Sequence, residues 1–261
     1  MHFTDSIFSG NPAAVCVVDN FLDDGTMQNI AVENNLSETA FVRKSDFYIR
    51  WFTPGGEIDF CGHATLARAF VLFNFYSDEN TKIITFDSQV GHLTALKHDD
   101  LIEMDYPAYN LNPIEVTDEM EDILGESICE AYLDRDLLLV LDSEKSVYNV
   151  NPNFDRLVEL DGLCIAVTAK SNKFDCISRV FGPKIGIDED PVTGSTHCMI
   201  VPYWSKKLNK SKIRAFQASK RTGIIMGKMM EIGLKFQEMQ HYFQFQKSFY
   251  NPIIMYNYDI D

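Results

Sequence analysis

Basic residues are scarce in this chain. Lys and Arg total 23 against 38 Asp and Glu, leaving a formal net charge of −15. That shortage argues against nucleic acid and against an anionic membrane surface as partners, because both are held by basic patches. It leaves room for a small anionic substrate, since backbone dipoles act locally whatever the net charge. Cysteine pairs are also lacking. None of the six cysteines (Cys16, Cys61, Cys129, Cys164, Cys176, Cys198) forms a C-x-x-C pair, and no Cys/His spacing fits a zinc site. Scattered cysteines in a chain of this size read as free thiols of an intracellular, cytoplasmic protein. No basic segment followed by a signal-type apolar run stands at the start. The most apolar stretch, residues 64–76, is interrupted by Arg68 and Asn74 and is too short to span a bilayer. What remains is ordinary for a globular protein: 46% hydrophobic and 23% charged residues over 261 positions. That length supports one large domain or two smaller ones, each with its own core.

Two stretches echo each other. One is Phe52-Thr53-Pro54-Gly55-Gly56-Glu57-Ile58-Asp59-Phe60-Cys61-Gly62-His63-Ala64-Thr65. The other is Phe181-Gly182-Pro183-Lys184-Ile185-Gly186-Ile187-Asp188-Glu189-Asp190-Pro191-Val192-Thr193-Gly194-Ser195-Thr196-His197. Each opens on Phe-x-Pro, carries acidic residues, reaches a glycine and a hydrogen-bonding residue, and runs into an apolar stretch. A glycine at a strand-to-helix turn lets a ligand approach the backbone closely. The N–H groups of the following helical turn point outward and favour an anion such as a substrate carboxylate. Two such turns suggest two half-domains facing one site.

The patterning predicts strands over 15–18, 36–43, 48–52, 82–86, 93–97 and 101–106, with a helix over 27–35. Residues 63–76 are apolar nearly all round and predict a helix enclosed by sheet. Pro107, Asn110, Asn112 and Pro113 mark a linker. Beyond it come helices over 117–124 and 154–160 and strands over 137–141, 163–168 and 178–181. A second enclosed helix spans 196–208, which Pro202 should bend or end early, and residues 212–219 are extended again. The fold class is therefore α+β: two similar domains, 1–108 and 109–261, each a sheet wrapped around one helix, with the site between them.

Four stretches carry a family resemblance: Phe8-Ser9-Gly10-Asn11-Pro12-Ala13-Ala14-Val15, Asn34-Asn35-Leu36-Ser37-Glu38-Thr39-Ala40-Phe41, Cys61-Gly62-His63-Ala64-Thr65 and Glu189-Asp190-Pro191-Val192-Thr193-Gly194-Ser195. In order and spacing they resemble the phenazine-biosynthesis PhzF-like family over about residues 1–228. The resemblance implies a diaminopimelate-epimerase-like fold of two pseudo-symmetric domains with mixed sheets. It also implies no metal, no cofactor and, because many members are dimers, a homodimer. The activity implied is a cofactor-independent isomerisation that moves a proton on a small carboxylate or amino-acid-like metabolite.

The site residues follow from the match. Glu38 stands where the family has its proton-shuttling glutamate, and His63 where it has its site histidine after Gly62. Moving a proton to or from carbon needs such a carboxylate or imidazole at the reacting atom and donors on the developing charge. Asp190 and Ser195 match the acid and hydroxyl of the second turn. Asp190 is expected to orient either a substrate amine or His63, and Ser195 to hold a carboxylate with the Gly194 and Ser195 amides. Glu57, Asp59 and Glu189 read as turn or rim acids. In the related amino-acid epimerases a cysteine precedes each glycine. Here Cys61 fills the first position and Thr193 the second, which argues against a two-thiol racemase and makes Cys61 a small buried residue. A second function class is a binding or interaction protein that keeps the fold without turnover.

Both ends depart from the family. Relatives begin with a strand before the match to Phe3 and Asp5, so the first sheet is expected to have a shortened central strand with an exposed edge. A chain begun at an upstream codon should then be more soluble. The resemblance continues through Phe216-Gln217-Ala218-Ser219-Lys220-Arg221-Thr222-Gly223-Ile224-Ile225 and stops; residues 229–261 are crowded with Met, Gln and Phe and lack strand alternation. Back-translated with A/T-leaning codons and read in a shifted frame, this tail encodes a turn and an alternating strand. A frameshift that replaced the C-terminus is the resulting expectation, with no packed place for the tail.

Overall fold

A computed structural model describes residues 9–58, 61–88, 91–98, 101–106, 108–230 and 234–239. The expected short first strand, the rim acid Asp59, the linker residue Pro107 and the tail from residue 240 lie outside the described residues. Two compact units result, one of residues up to Asp105 with those from Glu238, the other Tyr106–Gln237.

In the first unit the β-branched run of β1 (Ala13–Val18) pairs in parallel with β2 (Glu38–Arg43). A parallel pair needs a crossover, and α1 (Asp24–Asn34) supplies it. Asp23 caps α1 by accepting from Thr26 N, and Asn35 ends it in the left-handed conformation at φ 48°. β3 (Ile49–Thr53) and the short β4 (Gly56–Ile58) extend the sheet antiparallel, in the order β1-β2-β3-β4. Met27 and Ala31 of α1 pack on Cys16, Phe41 and Phe52. The second helix, α2 (Gly62–Val71), buries every residue except Phe70, as its apolar circumference requires. It does not run on to residue 76 as one α-helix, because Leu72–Tyr76 widens into a π-helical turn. The strands β5 (Ile83–Ser88), β6 (Gly91–His98) and β7 (Leu101–Tyr106) follow as an antiparallel meander.

The second unit is a mixed sheet. Its strands are β8 (Asn112–Ile114), β9 (Ile128–Leu133), β10 (Leu137–Leu141), β11 (Ile165–Lys170), β12 (Cys176–Phe181), β13 (Lys212–Gln217), β14 (Gly223–Met229) and β15 (Leu234–Met239). They lie in that spatial order, with β10/β11 and β12/β13 parallel. The helices α3 (Asp118–Leu124), α4 (Glu144–Asn149) and α5 (Phe154–Leu157) cover a core of Leu137, Leu139, Ile165, Val167, Ile177 and Phe181. The helix α6 (His197–Leu208) is buried along most of its length. Its Trp204 indole donates to Thr168 Oγ1 on β11 at 2.9 Å, and its Tyr203 ring lies 5.5 Å from that of Tyr132 on β9.

Three expectations are corrected. Pro202 does not end α6, which runs on to Leu208. The carbonyl that Pro202 cannot serve, that of Cys198, accepts instead from Tyr109 N at 3.0 Å, so the missing donor is replaced from outside the helix. The linker around Pro113 contains β8, because Asn112–Ile114 finds Ala131–Leu133 of β9 as an antiparallel partner. The tail has a place as far as β15. Met226↔Gln237 through Met229↔Leu234 pair antiparallel with β14, and such a ladder uses backbone groups that need no side-chain alternation. Among the described residues no helix is long and apolar enough to cross a membrane.

Candidate active site

The first turn is set by Cys61. Its Sγ accepts from Ala64 N at 3.4 Å and its carbonyl accepts the Thr65 hydroxyl at 2.6 Å, so one residue caps α2 twice. This cap delivers His63 onto the start of β2. His63 Nε2 lies 2.7 Å from Glu38 Oε2, with side-chain exposures of only 4% and 8%. Among the described residues neither atom finds another partner. On the other side of the ring, Asn11 Nδ2 and Cys61 Sγ each stand 3.5 Å from His63 Nδ1. The structure therefore brings Glu38 and His63 together and adds Asn11 and Cys61 around the ring.

Electrostatics assign the charges. Burial alone would lower the His63 pKa, but the neighbouring Cys61 and Glu38 and their hydrogen bonds outweigh it and hold it well above 6.5. Burial, aided by the Glu38 charge, pushes the Cys61 thiol up to about 11. A thiol that high is neutral at pH 7. Cys61 is correspondingly a poor nucleophile. Glu38, Cys61 and His63 each offer a metal-ligand atom within 4.8 Å of the others. The carboxylate and the thiol, however, lie against opposite nitrogens of the ring, and in these rotamers one ion could not take both short contacts.

The second turn is tied down from β13 and α6. Thr193 donates its hydroxyl to Asp190 Oδ2, its amide to Gln217 Oε1 at 2.9 Å, and its carbonyl meets His197 Nδ1 at 2.7 Å. Burial lowers the His197 pKa to about 4, so the ring is neutral and Nδ1–H is the donor. Arg179 on β12 holds Glu189 through Nε at 2.6 Å and Nη2 at 2.9 Å, which accounts for Glu189 as a structural acid. Glu57 is likewise paired with Arg50 in the first unit, at 2.7 and 2.6 Å. Thr196 donates to Asp136 Oδ2 at 2.7 Å, and Asp136 Oδ1 accepts from Cys164 N at 3.2 Å. Among the described residues the N–H groups of Gly194, Ser195 and Thr196 have no acceptor, and Ser195 spends no side-chain hydrogen bond. Three adjacent amides and a half-exposed hydroxyl at a helix start can receive an anion such as a carboxylate.

Sequence reasoning missed Asn11, Gln217, Asp136 and the role of Thr193. Asn11 and Gln217 lie inside the stretches that carry the family resemblance, which was the available signal. Asp136 had none, because its partner Thr196 is 60 residues away.

The profile of the phenazine biosynthesis-like protein family matches residues 2–241. An uncharacterized isomerase of Pseudomonas aeruginosa is 46% identical over 223 residues, covering 85% of this chain and 86% of that one. An uncharacterized isomerase of Halalkalibacterium halodurans is 45% identical over 239 residues, covering 87% and 88%. The crystal structure of a PhzF-family phenazine biosynthesis protein from Enterococcus faecalis superposes with a TM-score of 0.87 at 45% identity, over 91% of this chain and 92% of that one. The chain therefore belongs to the phenazine biosynthesis-like family and is a PhzF-like isomerase.

Proposed function

We propose that this isomerase moves a proton on a small carboxylate or amino-acid-like metabolite without a cofactor. The observation that carries the reading is the buried Glu38–His63 contact of 2.7 Å. A carboxylate and an imidazole in hydrogen-bond reach and away from water can take a proton from carbon, share it and return it. Glu38 is assigned the proton shuttle and His63 its relay and positioning group. The unpaired amides of Gly194 and Ser195, with the Ser195 hydroxyl, are assigned to the substrate carboxylate, and Asp190 to a substrate amine. Gly62 and Gly194 are assigned to substrate binding, as glycines that let a ligand approach the backbone. The same proposal includes a cytoplasmic location, supported by the scattered free thiols, and a homodimer, supported by the family resemblance.

The test is a thermal-shift screen of small carboxylates and amino acids, followed by incubation of stabilising ligands in heavy water. We expect deuterium to enter the substrate with the wild type, and Glu38→Gln to lower the rate about 100-fold or more. Unchanged exchange in Glu38→Gln would overturn the assignment of Glu38. Binding without exchange or conversion across the panel would favour a protein that binds and does not turn over.

A further inference from the structure

The orientation of the Gln217 carboxamide follows from its partners. Oε1 faces Thr193 N, which can only donate, at 2.9 Å, and Nε2 faces Asp190 O, which can only accept, at 2.8 Å. The second Nε2 hydrogen points to Thr193 Oγ1 at 3.3 Å. With that oxygen accepting from Gln217, the single hydroxyl hydrogen of Thr193 is directed to Asp190 Oδ2. The chain of donors thus runs one way, from carboxamide to hydroxyl to carboxylate. Gln217 is fully buried at the end of β13, and Asp190 and Thr193 are each 7% exposed, so water does not compete. Thr193 is pinned at its amide, hydroxyl and carbonyl together, and its hydroxyl cannot turn to serve another acceptor without breaking the chain.

We propose that Gln217 is a positioning residue of the site: it fixes Thr193 as a donor to Asp190 and so holds Asp190 as an ionised, aimed carboxylate. Donation to the charged form favours that form. An ionised Asp190 accepts hydrogen bonds and cannot supply a proton, which suits the ammonium group of an amino-acid-like substrate. That last step rests on the proposed function; the orientation itself does not. The inference also gives the residue in the second thiol position a task, since Thr193 supplies a proton donor where a cysteine would supply a nucleophile.

Other charged and titratable groups surround the turn. They are the Arg179–Glu189 pair reaching from β12, Asp188 on the turn, His197 on α6, and Lys220 and Arg221 in the segment that Ser219 ties to Pro191 O at 2.6 Å. The test must therefore read Asp190 itself. Protein carrying ¹³C in the aspartate carboxyl carbons is titrated by NMR without any substrate, and Asp190→Asn identifies the resonance by its loss. We expect the Asp190 midpoint to rise by about one pH unit in Thr193→Val, which is isosteric, and in Gln217→Met, and to return in Thr193→Ser. An unmoved midpoint in Thr193→Val overturns the proposal, as does a shift in Thr193→Val with none in Gln217→Met. If Gln217→Met does not fold, Gln217→Leu, which likewise removes the carboxamide, is read in its place. No substrate enters the measurement, so failure here leaves the deuterium-exchange reading standing, and failure of exchange leaves this orientation standing.

Discussion

His63 shows how a single side chain converts burial into pH dependence. Its folded pKa lies above the unfolded value of 6.5, against the pull of burial, because Cys61 and Glu38 on either side of the ring favour the imidazolium. A raised basic group adds stability that is fully present below pH 6.5 and is lost as pH rises through the folded value. The urea midpoint of the wild type should therefore fall toward that of His63→Gln as pH is raised from about 6 to 9. A pH-independent gap between the two proteins would contradict the ionised pair. Glu38 and His63 were legible in the sequence because each sits in a short local motif. Their 2.7 Å contact was not, because it depends on β2 and α2 meeting across 25 residues of chain.

At the scale of elements, β14 meets α6 with no room to spare. A Cβ built on Gly227 would lie 2.6 Å from Val201 Cγ2. Gly227→Ala should cost about 1–3 kcal/mol through overpacking. Adding Val201→Ala should restore part of that, and a double-mutant cycle of denaturation free energies would measure the coupling. Additive losses would show that the two residues do not press on each other. Elements with a clear apolar pattern, such as α6, β7 and β10, were readable from the sequence nearly to their ends. The short β4 and β8 were not, because three residues carry no period and form only when a neighbouring strand offers a ladder.

At the scale of the molecule, the C-terminal region shows the difference between pattern and placement. Its residues look unsuited to a strand, yet Leu234–Met239 pairs along β14. A chain ended after residue 233 should melt roughly 5 °C lower than one ended after residue 239 and aggregate more readily, because it leaves the β14 ladder unpaired. Equal melting of the two would deny β15 a structural role. The order of residues alone carries the α+β class, the two glycine turns and the enclosed helices, and the family resemblance added Glu38, His63, Asp190 and Ser195 as expected site residues. The class, turns and helices follow from hydrophobic pattern and turn chemistry, which act over a few residues. Tertiary packing alone shows that Cys61 caps α2, that Tyr109 serves the carbonyl Pro202 abandons, and that Gln217, Thr193 and Asp190 share one chain of hydrogen bonds. Each of those depends on a hydrogen bond between groups whose partnership is set by how the strands and helices pack, and packing distance has no signature in the order of the residues.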